Sequence, residues 1–181
     1  MILHPEIQQK ARAEIDAVVG RDRLPNFSDR GSMPFMDCIV KEVLRWKPIS
    51  PLGAPHATTD NDIYRGMFIP KNTTVVPNIW AMLHDPEVYY DPEEFIPERF
   101  LQTETRDPCP DPSRVVWGFG RRICPGRHLA DTSLWMAMAS LLWAFDFAKP
   151  KDPQGNVVEP NVTYGSGLAR SVYRFPCGAL Y

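Results

Sequence analysis

The residue best placed to do chemistry is Cys124, in the run Trp117-Gly118-Phe119-Gly120-Arg121-Arg122-Ile123-Cys124-Pro125-Gly126-Arg127-His128. Glycines in this run let backbone approach a bound group closely, and a helical pattern opens directly after the sulfur. The N-terminal end of a helix favours a thiolate, and Arg121, Arg122 and Arg127 add positive charge nearby. A stabilised thiolate is a nucleophile or a metal ligand, whereas a free cysteine is also commonly a small buried hydrophobe; the residues alone leave these readings open. Cys124 and His128 could give two zinc ligands, but no neighbouring pair completes a tetrahedral site. Glu42 and Arg45, three apart on a helical pattern, share a face and can pair, either inside the fold or on its surface. His56 reads as an ordinary strand histidine.

The stretch 117–126 resembles the heme-binding loop of the cytochrome P450 family, Phe-x-x-Gly-x-Arg-x-Cys-x-Gly, with Trp117 in place of the first Phe. The resemblance implies that Cys124 is the axial thiolate of the iron of heme b, donating electron density that favours O–O cleavage. It makes Arg122 the propionate-binding arginine, offering two parallel charge-assisted hydrogen bonds. Trp117, Gly118, Phe119, Gly120 and Gly126 are then cofactor-contacting positions, and His56 matches a strand position where relatives hold a propionate. Glu42-Val43-Leu44-Arg45 resembles the family's Glu-x-x-Arg, and Pro97-Glu98-Arg99-Phe100 resembles its Pro-Glu-Arg-Phe. The implied structural triad is Glu42, Arg45 and Arg99, pinning a long loop to a helix. The turn Ile49, Ser50, Pro51, Leu52, Gly53 and Ala54 resembles a substrate-recognition loop, as does Tyr164 with Gly165, Ser166, Gly167 and Leu168. Their mixed apolar character suits a lipophilic small molecule.

Several elements must position these residues. Ile7, Ala11, Ile15 and Val18 mark an amphipathic helix from Pro5 to Val19, with Gly20 at its C-cap. A second helix, with Ser32 as its expected N-cap, runs through Ile39 and Leu44 to Trp46 before Pro48 and Pro51 stop it. Short β-branched segments between His56 and Val76 predict one small antiparallel sheet. Asn78 can cap a short helix, Ile79 to Leu83, and His84 to Pro112 is a turn-rich structured loop of a length that usually wraps something functional. The strongest helix, Arg127 to about Ala144, should be the core element, with Leu129, Ala130, Leu134, Ala137, Leu141 and Leu142 on its apolar side. The remainder, including Ser171 to Pro176, reads as hairpins. The expected class is α+β, mainly helical, with small antiparallel sheets.

The chain has 181 residues, and 20 Lys and Arg against 22 Asp and Glu leave a net charge of −2, which gives no reason to expect a nucleic-acid partner. Nineteen prolines favour long ordered loops over a pure helix bundle. Cysteines at 38, 109, 124 and 177 lie far apart without a secretory leader, which fits reduced thiols. The longest uncharged run, Thr132 to Phe145, falls short of the ~20 residues a bilayer span needs. By resemblance, residues 1–181 are one partial domain, the C-terminal part of a P450, with the heme-binding loop at about 117–130. The family's membrane anchor, first substrate loops and distal oxygen-activating helix have no counterpart here, so no catalytic residue is assigned within this chain. Full-length relatives are expected on the cytosolic face of the endoplasmic reticulum membrane. They would act as heme-thiolate monooxygenases on a lipophilic substrate, with electrons from NADPH through an NADPH-cytochrome P450 reductase type flavoprotein. The alternatives are a non-catalytic truncated fragment or a P450-like isomerase or dehydratase.

Overall fold

The computed structural model describes residues 1–165, 169–171 and 178–180. Helix α1 (Pro5–Val18) buries Ile7, Ala11 and Ile15 along one stripe, and Gly20 at φ 72 ends it in the left-handed conformation that suits glycine. Helix α2 (Pro34–Trp46) is more deeply enclosed, burying Phe35, Met36, Cys38, Ile39, Val40, Glu42, Leu44 and Arg45. It packs against α1 and against α5 (Arg127–Ala144).

Ser32 does not cap α2. It ends a 3-10 turn, Phe27–Ser32, that opens with a reciprocal capping box between Asn26 and Asp29. The exposed N–H groups of α2 are met from α1, where the two carboxylate oxygens of Glu14 each accept one bond, from Phe35 and Met36, at 2.9 Å. A negative group at a helix N-terminus satisfies orphan donors and opposes the helix dipole, so Glu14 replaces a local cap.

The strongest sequence pattern, α5, buries Leu142 and half-buries Leu134 of the expected side, but not the rest of it. Trp135, Ala139 and Leu142 are enclosed, while Leu129 is 74% and Leu141 46% exposed, and Ala130 and Ala137 are also exposed. Because α5 is apolar on most sides, periodicity does not select a face. Selection comes from polar anchors: Arg30 binds Asp131 at 2.6 and 3.2 Å and lies over the Trp135 ring, and Trp143 Nε1 donates to the Gly20 carbonyl at 2.8 Å. The most enclosed helix is therefore α2.

The expected single sheet is two nested ribbons. Strand β1 (His56–Ala57) pairs with β4 (Thr74–Val75), and β2 (Asp62–Tyr64) pairs with β3 (Met67–Ile69), both antiparallel. Pro70 separates them, since it offers no N–H to a ladder; its carbonyl instead accepts from the Thr58 and Thr73 hydroxyls at 2.8 and 2.6 Å. Helices α3 (Ile79–Leu83) and α4 (Ser113–Val116) follow, with Asn78 capping α3 through a 3.1 Å bond from the Ala81 N–H. Near the end of the chain β5 (Asp146–Ala148) pairs with β6 (Gly178–Leu180), and Lys151 bridges Val157. Of the expected Ser171 to Pro176 hairpin, all but Ser171 lies outside the described residues.

Gln8, 2% exposed, ties β5 to α1 by acting as a strand partner. Its amide accepts from the Phe147 N–H at 3.0 Å and donates to the Phe147 carbonyl at 3.0 Å and to Asp146 Oδ1 at 2.7 Å. Gln8→Leu leaves three partners without their bonds and should cost about 1–3 kcal/mol in urea unfolding; unchanged stability would show that β5 is held otherwise.

Candidate functional site

Glu42 and Arg45 share one face of α2 because they are one helical turn apart. Glu42 Oε2 accepts from Arg45 Nε at 2.7 Å and Oε1 from Arg45 Nη2 at 2.9 Å; Arg99, from the 3-10 turn Pro97–Phe100, reaches the same carboxylate at 3.2 Å. All three side chains are fully buried. Two guanidiniums against one carboxylate leave excess positive charge, which backbone carbonyls of the long loop absorb. Arg45 donates to Leu83, Pro92 and Glu94, and Arg99 to Tyr90, Asp91 and Glu94. The Ile96 N–H completes the carboxylate's shell at 2.8 Å. Buried charge is tolerated because nearly every donor and lone pair is used.

The hold on the loop continues toward Cys124. The Arg99 carbonyl accepts from the Cys109 N–H at 2.8 Å, Tyr89 Oη donates to the Pro110 carbonyl at 3.0 Å, and Lys41 on α2 pairs with Asp111 at 3.3 Å. Helix α4 begins two residues later and leads into Trp117.

From Trp117 the chain closes on itself: the Cys124 N–H donates to the Trp117 carbonyl at 2.8 Å. Gly118 at φ 82 and Gly120 at φ 56 take the left-handed conformations this closure needs. A Cβ at Gly126 would stand 3.9 Å from Cys124 Sγ, so glycine leaves the sulfur clear on that side. Helix α5 starts at Arg127 with no side-chain cap.

Cys124, Arg122, His56, Trp117, Gly118 and Phe119 line one cavity of about 480 Å³, together with Ile49, Ser50, Gly53 and Ala54. Pro51 and Leu52 of that turn do not line it, nor do Gly120 and Gly126 of the cysteine loop. The turn is fixed from outside: the Trp80 N–H donates to the Pro51 carbonyl at 2.8 Å. At Gly53, φ is 58 and a Cβ would lie 2.8 Å from Pro77, so only glycine fits. Tyr164 lines an adjacent chamber of about 560 Å³, which shares Val43, Lys47, Ile49 and Leu134 with the first. Gly165 donates its N–H to the Ser171 carbonyl at 2.9 Å and lines neither cavity; Ser166, Gly167 and Leu168 lie outside the described residues.

Sequence reasoning missed Lys47, Pro77, Ile79 and Leu134, which also line the first cavity. Lys47 directly follows α2 and was open to inspection as a cation one residue past the helix. The other three reach the site by long-range packing and carried no signal. Among the described residues, Arg122, His56 and Lys47 line the cavity and no Asp or Glu does. An apolar slot with cations and a thiol fits an apolar macrocycle bearing carboxylates and a soft-ligand metal. Burial on α2 pushes the Cys38 thiol up to about 11.

The Cytochrome P450 family profile matches residues 1–171. Cytochrome P450 monooxygenase claR of Ampulloclitocybe clavipes is 45% identical over 177 residues, 98% of this chain and 33% of its own length. Cytochrome P450 monooxygenase 208 of Postia placenta is 48% identical over 177 residues, again 98% of this chain and 34% of its own. A zebrafish cytochrome P450 structure, solved with abiraterone, superposes with a TM-score of 0.85 at 34% identity, covering 99% of this chain and 40% of that one. The fold is thus part of a heme-protein fold, mainly helical with small antiparallel sheets. The chain belongs to the cytochrome P450 family, and it spans about a third of the length of the curated relatives it matches.

Arg99→Ala or Glu42→Ala alone should cost about 3–5 kcal/mol, because each strands buried charge. The double variant should cost much less than the sum, since both remove one network. Urea unfolding decides; near-native stability in either single variant would contradict the geometry.

A pH effect follows from His84, which is 6% exposed, stacks on Trp80 at 4.4 Å and donates from Nδ1 to the Trp80 carbonyl at 2.9 Å. Its Nε2 is buried with no hydrogen-bond partner among the described residues. Burial pushes its pKa below the usual 6.5, with Arg45 adding to the fall and the Trp80 carbonyl opposing it. Between 6.5 and that lower value the unfolded imidazole binds a proton the folded one does not, so stability falls as pH falls. The Tm difference between pH 7.5 and 5.5 should shrink in His84→Phe; an equal difference would remove His84 from the acid limb.

Proposed function

We propose that this chain forms the thiolate side of the active site of a heme monooxygenase acting on a lipophilic small molecule. The observation that carries the reading is the convergence of Cys124, Arg122 and His56, from two separate parts of the chain, on one cavity without acids among its described lining residues. Bound there, heme supplies the iron at which molecular oxygen is activated.

The chain's own residues have distinct tasks. Cys124 would hold the heme iron through its sulfur, and the Trp117–Cys124 backbone bond keeps the loop closed. Arg122 and His56 would hold the propionates, Arg122 through its planar guanidinium. Trp117 and Phe119 cover the macrocycle's apolar surface and exclude water. The turn Ile49–Ala54, held by Trp80 and Pro77, presents Ile49 and Ala54 to an apolar substrate. The segment 165–168, which follows Tyr164 in the chain, is the second substrate loop. Electrons come from NADPH through a flavoprotein reductase, and the whole protein works at the cytosolic face of the endoplasmic reticulum membrane.

The test is hemin titration of the chain followed by reduction under carbon monoxide. The wild type should give a thiolate-type Soret band, and so should Cys38→Ser, Cys109→Ser and Cys177→Ser, whereas Cys124→Ser should not. Arg122→Ala should keep the band position but weaken hemin affinity by about tenfold or more, the loss expected for a charge-assisted hydrogen bond. A thiolate-type band surviving Cys124→Ser would overturn the assignment.

A further inference from the structure

The second chamber, of about 560 Å³, has the size of a small-molecule site and walls that are mostly apolar, among them Trp46, Phe95, Leu134, Met138, Phe147 and Val162. Two cations, Lys47 and Arg170, line it as well, and no Asp or Glu does among the described residues. Each cation lies beside an aromatic ring of the same wall. Lys47 Nζ is 4.7 Å from the centre of the Trp46 ring, and the Arg170 guanidinium is 6.0 Å from that of Tyr164. Ring contact leaves their N–H donors free, and among the described residues neither side chain makes an ion pair or a hydrogen bond. His4, which also lines the chamber, is by contrast 3.7 Å from Glu6. The backbone N–H of Arg170 donates to the Ile49 carbonyl, and both Ile49 and Lys47 line the first cavity too. The two cations therefore stand where one chamber opens toward the other.

We propose that Lys47 and Arg170 select a lipophilic carboxylate as substrate, holding its anionic end in the second chamber while its apolar body passes Ile49 into the first. A charge among apolar walls is disfavoured until it is paired, and a carboxylate ligand supplies the partner for both cations at once. A neutral molecule of the same shape leaves both unpaired. Arg170 offers a planar fork that two carboxylate oxygens can accept from, and Lys47 a compact point charge. A carboxylate brings one negative charge, so it is less costly to desolvate in this chamber than a phosphate, which carries nearly two. The pair is distinct from Arg122 and His56, neither of which lines the second chamber. The fate of the substrate rests on the monooxygenase reading above, but its recognition makes no use of heme.

Titration calorimetry of the hemin-free chain with decanoate and with decanol tests this. The wild type should bind decanoate about tenfold or more tightly than decanol, the discrimination expected of a charge-assisted hydrogen bond. Raising salt from about 0.05 to about 0.5 M should weaken decanoate binding and leave decanol binding unweakened. Lys47→Met with Arg170→Met should bring decanoate down to the affinity of decanol, with decanol itself within about twofold of its wild-type value. Lys47→Arg, which keeps the charge, should stay within about threefold of wild type for decanoate. Added hemin should not displace decanoate, because its propionates fall to Arg122 and His56. Equal binding of the two ligands by the wild type, a double variant that keeps the preference or loses both ligands alike, or displacement by hemin would each overturn the proposal. A decanoate preference in a chain whose hemin complex lacks the thiolate-type Soret band would instead overturn the heme reading alone.

Discussion

One carboxylate in a dry interior holds this structure in register. Glu42 accepts from Arg45, Arg99 and the Ile96 N–H, and the two guanidiniums spend their remaining donors on carbonyls from Leu83 to Glu94. A segment rich in proline and turns cannot satisfy its own backbone through a helix or a ladder. The guanidiniums do that work for it, so the loop keeps one shape without regular structure. The same turn that carries Arg99 passes the constraint on through Cys109 and Pro110 to α4, and from there to the loop of Cys124.

The same device recurs at smaller scale. Glu14 stands in for a helix cap, Gln8 for a neighbouring strand, and Arg30 with Asp131 for a hydrophobic code that α5 does not carry. In each case a long polar side chain from one element satisfies the backbone or fixes the orientation of another. Apolar burial by α1, α2 and α5 supplies the driving force. The polar clamps decide which of several similar packings is adopted, and so where the cavity's two walls, the cysteine loop and the Ile49–Ala54 turn, meet.

Much of the candidate site was legible because its signals are local. A cysteine among glycines and arginines before a helix is read within ten residues, and Glu42 with Arg45 within one turn. The joining of Arg99 to that pair came from family resemblance, since no local rule brings residue 99 to residue 42. What periodicity could not supply was decided at long range. Glu14 reaches α2 from another helix, the buried face of α5 depends on Arg30 and Gly20, and the division of the sheet into two ribbons depends on Pro70. Pro77 and Leu134 reach the cavity only after these contacts form, so nothing in their own neighbourhood announced them.

The central claim is that the Glu42 network holds the Cys124 loop from a distance. Native-state hydrogen exchange in Arg99→Lys measures it most directly, because lysine keeps the charge but loses the fork that spans Glu42 and the loop carbonyls. The account predicts that the amides of Ile96, Cys109 and Cys124 lose protection together. Loss at Ile96 and Cys109 with wild-type protection at Cys124 would contradict it, and would make the cysteine loop an independent unit.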